Sequence, residues 1–349
     1  MSAEICAVQP EQQAELAGFL SAAFGKPIDA PFVSAEMLAW KYFEPRPDWS
    51  GPRSKVVREE GRIVAHAGVW PLRFLAPGGP VDCVHLIDWG AAGAAGAGIL
   101  IYREMLRSAA AALVVGGAIG ARKLLTRMGF SQAGCAVAYV RVVRPWKQFR
   151  LRPAGPKWKN AAKLMRNSVW ASAGRAEHAE WSMEALPAFP RELQALLDTE
   201  PASLPKPVVA GVRTVEGLNF LLRCPGAQCT AHVLKKGGAL RGYFLLCRGG
   251  RQSRIADLRV WGTGADLAAA YSLAVEAAAR DPEICEIVAV SSLDATAGAL
   301  AQNGFRIGGE RPVWLYDPQG RFANAGPLHV QAIESDSFFL YDAENSFAS

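Results

Sequence analysis

"GAAGAAGAGILIYREML", residues 90–106, opens with nine residues that are all glycine or alanine. It lies between the apolar run "CVHLIDW" (83–89) and "LIYREMLRSAAA" (100–111), whose spacing predicts a helix. A strand that passes through a glycine-rich turn into a helix is a common phosphate cradle. Small residues let backbone N–H groups and the positive end of the helix come close to an anion. On this reading the run is small because backbone, rather than side chains, holds the ligand.

Outward from this stretch the chain repeats itself. The helical pattern "RKLLTRMGF" closes on Phe130 and "AGALAQNGF" closes on Phe305, an offset of 175 residues, each through a Gly-Phe pair. The hairpin-like runs "EEGRIVAHAGVWPLRF" (59–74) and "KGGALRGYFLLCR" (236–248) both follow a glycine turn. "SAEMLAWKYF" (34–43) aligns with "TVEGLNFLLR" (214–223), pairing Glu36 with Glu216, Leu38 with Leu218 and Trp40 with Phe220. The order is kept over about 130 residues of each half. This predicts two copies of one domain, 1–144 and 179–349, joined by a connector at 145–178. In the first copy the patterns place strands near 4–9, 54–59, 62–74, 80–89, 111–116 and 132–143, and helices near 11–23, 34–43, 97–110 and 118–128. Strands alternating with helices on a mixed sheet make a layered α/β or α+β fold.

A length of 349 residues suits two domains, and a half-apolar composition excludes disorder. The start, "MSAEICAVQPEQQ", has neither a basic nor an apolar leader segment, and the weakly polar runs are too short to cross a bilayer. A cytoplasmic protein is expected. Seven scattered cysteines, an odd number, are no disulfide framework, and the close pair Cys224 and Cys229 lacks the second pair a zinc site would need. No metal is expected.

With these elements in order, each half resembles the GNAT acyltransferase superfamily, whose members use acyl-CoA as donor. There a fourth strand leads through a phosphate loop to the third helix, and a fourth helix closes with Gly-Phe. "GAAGAG" (93–98) keeps Gly96 and Gly98 at the spacing of that loop after "LIDW". The resemblance implies two tandem GNAT-like domains, each a mixed, mostly antiparallel sheet flanked by helices. It also implies that acetyl-CoA or another acyl-CoA is held by Ile87, Trp89, Gly93, Ala94, Ala95, Gly96, Ala97, Gly98 and Ile99. Two positions depart from the family. Gly93 stands where Gln or Arg is usual, and Leu125 and Ala301 stand where a tyrosine often protonates the leaving thiolate, so the general acid is unassigned. In the second copy "GTGADLAAAYSL" puts Asp266 beside the would-be phosphates, so the donor is expected in the first copy.

N-acylation needs a neutral amine beside the thioester, a route for its proton, and donors for the developing oxyanion. The resemblance implies that a backbone N–H near Trp89 polarises the carbonyl. Asp88 is the candidate base, with capping of the loop as its alternative role, and His85 is the second candidate, with a half-buried structural histidine as its alternative. On a regular strand Asp88 faces away from His85 and Trp89. His66 and Tyr243, in matching hairpins, are further candidates behind these two, while Trp40, Tyr42 and Trp70 read as core or cleft wall.

Residues 141–176 contain ten lysines and arginines and no acid. Trp146, Trp158 and Trp170 interleave with them, a pattern that fits nucleic acid or a membrane surface. "KWKNAAKLMRNSVW" also reads as an amphipathic helix that packs its Trp, Ala, Leu and Met face between the domains. The C-terminal "HVQAIESDSFFLYDAENSFAS" either folds back, bringing Asp336 to an amine, or is a free end. The expected activity is acyl transfer to an amine of a small molecule such as an amino sugar or a biosynthetic intermediate. Two alternatives stay open. One is a Fem-type transferase fed by aminoacyl-tRNA, and the other is a non-catalytic module that binds acyl-CoA or a partner.

Overall fold

The computed structural model describes residues 3–92, 96–117, 119–151, 157–199, 201, 203–204, 206–339 and 347–348. The first repeat runs β1 (Glu4–Ala7), α1 (Gln13–Phe24), α2 (Ala35–Leu38), β2 (Ser54–Glu59), β3 (Arg62–Ala76), β4 (Gly79–Ala91), α3 (Ala97–Leu106), β5 (Ala111–Val115), α4 (Ile119–Arg127) and β6 (Ser131–Val142). Two helices follow, α5 (Pro145–Leu151) and α6 (Lys157–Ala171). The second repeat runs β7 (Trp181–Leu186), α7 (Leu193–Leu197), β8 (Val209–Gly211), α8 (Val215–Leu222), β9 (Gln228–Lys236), β10 (Ala239–Gly249), β11 (Gln252–Val260), α9 (Gly264–Ala279), β12 (Glu286–Ser291), α10 (Asp294–Gln302) and β13 (Arg306–Tyr316). A short strand, β14 (Leu328–His329), ends the set.

Local chemistry places these elements. The β2–β3 turn uses Glu60 and Gly61, and the β9–β10 turn uses Gly237 and Gly238, with φ of 51°, 77°, 56° and 82°. Two consecutive left-handed residues give the hairpin turn whose twist matches that of the strands, so both repeats solve the same corner identically. After α2 the chain widens into one π-turn over Ala39–Phe43, closed by the Glu44 N–H donating to the Ala39 carbonyl at 2.8 Å. Trp40, Lys41 and Tyr42 are thereby all buried although consecutive.

One sheet runs through both repeats in the order β1-β2-β3-β4-β5-β13-β6-β12-β11-β10-β9-β7. The last strand of each repeat sits in the other repeat's half: β13 pairs with β5, and β6 pairs with β12. The exchange is two-fold symmetric. The 175-residue offset carries the pair Ser131–Leu315 into Arg306–Val140, and Val115–Val313 into Val290–Ala138. An isologous contact has this property, in which a surface meets its own copy. The equivalent residues Trp40 and Phe220 stack on one another with ring centroids 5.5 Å apart and planes 12° apart. They lie in a core shared by α1, α2, α7 and α8. On the opposite face of the sheet α3 covers the first half, and α9 with α10 covers the second.

The connector does not pack as its amphipathic pattern suggested. Trp158, Met165 and Val169 of α6 are 70%, 68% and 70% exposed. The side that touches the protein carries instead the buried Asn167, whose amide donates to Gln148 of α5 at 2.7 Å. Residues 328–339 do fold back, and the Trp70 indole donates to the Ile333 carbonyl at 3.1 Å. No described helix is long and apolar enough to cross a membrane.

Because β5 and β12 each depend on a strand from the other repeat, residues 1–178 alone should show no cooperative urea transition. Co-expression with residues 179–349 as a separate chain should restore one, read by circular dichroism. An isolated first half that unfolds cooperatively would contradict the exchange.

Candidate active site

The site begins where two parallel strands part. The β4–β5 pairing runs through Cys83–Ala111, Val84–Ala112 and His85–Leu113 and ends there, while β4 goes on beside β3 to Ala91. Past His85 the sheet therefore opens into a slot between β4 and β5. Within the slot β4 bulges: His66 pairs with Gly90 and Gly68 with Ile87, so Asp88 and Trp89 together oppose Ala67. Asp88 takes φ +48°, a left-handed conformation that Asp tolerates better than most residues.

The bulge reverses the alternation expected of a regular strand. Val84 and Leu86 face the α3 side, and beyond the bulge Trp89 joins them, packing against Tyr102 with ring centroids 4.6 Å apart. Asp88 turns to the opposite face, toward Lys41 and Tyr42, which both donate to its carboxylate. His85 and Asp88 thus share one side of the sheet. Gly68 makes room for this, since a Cβ there would lie 2.6 Å from the Tyr42 hydroxyl.

The electrostatics divide the labour. Burial works to raise the Asp88 carboxyl, but the Lys41 charge and the hydrogen bonds from Lys41 and Tyr42 outweigh it and hold the group below the usual carboxylate range. Asp88 is a fixed anion already occupied by two donors, a poor proton acceptor. His66, fully buried, contacts the Asp88 carbonyl through Nδ1 at 2.8 Å and the Ser54 hydroxyl through Nε2 at 3.0 Å. A carbonyl only accepts, so Nδ1 bears the hydrogen, and the ring is a clamp on the bulge. Burial pushes His66 down to about 4.

His85 is arranged differently. Its Nδ1 donates to the Leu113 carbonyl at 3.0 Å, at the fork of the slot, which leaves the Nε2 lone pair facing Oδ1 of Asp336 at 4.0 Å. Burial lowers the His85 pKa while the Asp336 charge acts to raise it. Burial and the nearby Asp88 charge raise Asp336, against His85 and Lys41. Neutral imidazole nitrogen and carboxylate oxygen are both acceptors, so their gap suits a molecule bearing N–H or O–H groups.

At the other end of the slot α3 begins on Gly96, with φ +86° and no side-chain cap. Ala97, Gly98 and Ile99 form its first turn, and the Trp89 indole donates to the Gly98 carbonyl at 2.8 Å. A Cβ on Gly98 would stand 3.1 Å from that of Ala91, so the glycine lets α3 close on β4. Gly93, Ala94 and Ala95 lie outside the described residues. The Ile87 side chain is buried in the shared core, leaving only its backbone at the bulge. Among the described residues the buried Tyr102 hydroxyl has no hydrogen-bond partner.

The second repeat carries more of its own side chains at the corresponding carboxylate and helix start. Parallel pairing starts at Gln252–Glu286 as it does at Cys83–Ala111, so Asp257 stands where Asp88 does. Arg213 donates to it at 2.9 Å, Tyr243 at 2.6 Å and Gln331 at 2.5 Å, and Glu334 pairs with Arg213. The start of α9 is capped by its own side chains: Asp266 accepts from the Thr263 N–H at 2.7 Å and also holds Lys236 at 2.7 Å. The hydrogen bonds from Lys236 and Thr263 overcome burial and hold Asp266 at about 2, so an anion fills the place of a phosphate.

Lys41, Arg213 and Tyr102 escaped the reading of the sequence. Only the polarity of Lys41 between Trp40 and Tyr42, inside an apolar helix, could have flagged it.

Neither a protein-family model nor a curated protein sequence matches the chain. Solved structures do. A GCN5-related N-acetyltransferase from Anabaena variabilis matches at 13% identity and TM-score 0.60, covering 90% of this chain and 72% of that one. A tandem GNAT protein from the clavulanic acid biosynthesis pathway matches at 16% and 0.56, covering 93% and 99%. Saccharomyces cerevisiae N-myristoyltransferase with bound myristoyl-CoA matches at 13% and 0.53, covering 90% and 79%. The fold is the tandem GNAT fold that the resemblance implied.

Two measurements check the electrostatics. Asp88→Asn keeps the left-handed residue and strips the counter-charge from Lys41, which is 1% exposed. It should cost about 3 kcal/mol, the lower end for breaking a buried pair. Adding Lys41→Met should recover part of that in urea titrations. Separately, the unfolded chain takes up a proton at His66 below about pH 6.5, whereas the native chain does so only near 4. Stability should therefore fall as pH drops through this window, by roughly 3 kcal/mol from His66. A urea midpoint flat across it would refute the assignment.

Proposed function

We propose that the protein is an acyl-CoA-dependent N-acyltransferase acting on an amine of a small molecule, with the donor bound in repeat 1–144. The observation behind this reading is the contrast between the two repeats. The first leaves His85 facing Asp336 across a gap at its fork and starts α3 without a side-chain cap, whereas the second packs Gln331 and Glu334 around its carboxylate and caps α9 with Asp266. Repeat 179–349 then serves as the other wall of the cleft, and 145–178 as the connector.

The first repeat fits such a donor in the nature of its groups. The Gly96–Ile99 turn offers N–H groups and a positive helix end to a pyrophosphate. The β4 edge past His85 offers backbone to an extended pantetheine arm. Bound there, acyl-CoA supplies an activated thioester carbonyl. The backbone N–H groups at the bulge, near Trp89, are the donors for the charge that develops on its oxygen. His85 Nε2 takes the proton from the acceptor amine, while Asp336 orients that amine and supports the imidazolium. Asp88, neutralised by Lys41, holds the bulge. Tyr102, whose buried hydroxyl has no partner among the described residues, supplies the proton for the departing thiolate in place of the tyrosine missing at Leu125. The acceptor class and a preference for acetyl belong to this proposal, as does a cytoplasmic site of action.

Calorimetric titration with acetyl-CoA should show saturable binding that Gly96→Glu abolishes, and myristoyl-CoA in parallel reports acyl length. No binding of either at millimolar ligand would overturn the reading and leave a tRNA-fed transferase or a non-catalytic module. In a thiol-release screen of amines His85→Gln should lower kcat by about a hundredfold or more, the contribution of a general base. Asp336→Asn removes a charge that raises the His85 pKa. The acidic limb of kcat/KM should then move to lower pH.

A further inference from the structure

We propose that α6 is a docking element for an anionic membrane surface. The helix shows solvent the face that a packed helix would hide. Trp158, Ala162, Met165 and Val169 recur at i, i+4, i+7 and i+11, which aligns them in one stripe along the axis. All four are exposed, the Trp, Met and Val by about two-thirds or more. The opposite side of the helix carries Asn167, 1% exposed, which is tied through Gln148 to Glu286 of β12. A polar staple thus fastens α6 to the protein with its apolar stripe outward.

The charges beside the stripe choose the occupant. Lys159, Lys163 and Arg166 follow one flank, Lys159 sits over the Trp158 ring and Arg166 over that of Trp170, and residues 141–176 contain no acid. An apolar stripe with an indole, bordered by cations on a helix of modest overall hydrophobicity, matches the boundary between anionic headgroups and acyl chains. A nucleic-acid backbone would use the cations and leave the Met and Val exposed. Trp146 of α5, which packs on α6, is also 54% exposed and adds a second indole to this end of the molecule. The proposal is independent of the acyl-transfer reading.

The test is co-sedimentation of the full chain with phosphatidylcholine vesicles, with and without about 30% phosphatidylglycerol. The expected result is binding to the anionic vesicles alone, falling away toward about 0.5 M salt as screening removes the attraction. The double variant Trp158→Glu with Met165→Glu should keep the wild-type thermal midpoint, since both positions are exposed, and bind roughly tenfold more weakly or worse. Three outcomes would overturn the proposal. The wild type could stay in the supernatant with anionic vesicles at low salt. The double variant could sediment as well as the wild type. Light scattering could show a wild-type dimer, dissolved by the double variant, that ignores vesicles.

Discussion

Neither half of this chain can finish its own sheet. β5 ends on β13, β12 ends on β6, and the two borrowed strands pair with each other at the centre. An antiparallel pair related to itself by a two-fold operation binds the repeats as a homodimer would be bound, except that here one chain supplies both partners. The stacked Trp40 and Phe220, equivalent residues from the two repeats, mark the same relation in the core. Much else follows from it. The inner helices α1, α2, α7 and α8 must share one core, and the candidate site of the first repeat meets Asp336 of the second.

Symmetry in the scaffold permits asymmetry in the sites. Asp88 and Asp257 are both buried carboxylates at a strand fork, each held by one cation and one tyrosine. The cation and tyrosine of the first come from a single π-turn, whereas those of the second come from Arg213 and from β10. The segment at 331–336 links the pair: Gln331 and Glu334 seal the second cluster, and Asp336 reaches toward His85 in the first. Closing one site thus positions a carboxylate at the other.

The elements of the first repeat were legible because each is governed by local rules. β2, β3, β4 and α3 lie within a few residues of their expected ranges, since alternation, glycine turns and helical periodicity act over short distances. The candidate site was legible only in part. His85 and Asp88 were named, but their relation was inverted, because a one-residue bulge changes which face a side chain takes and leaves no mark in composition. Lys41 was missed because a lysine in an apolar helix looks like a solvent-facing residue until a buried partner is known. The pattern of α6 correctly announced an amphipathic helix, but periodicity defines a face without saying what it meets.

By itself, then, the sequence determined the repeat, the order of strands and helices, and the glycine-rich start of α3, all consequences of backbone preference and short-range spacing. Tertiary structure alone decided the exchange of β6 and β13, the side of the sheet on which Asp88 lies, the return of 328–339 across both clusters, and the outward face of α6. Each of these depends on pairing between residues far apart in the chain. Such pairing is settled by which buried polar groups find partners when the whole sheet closes.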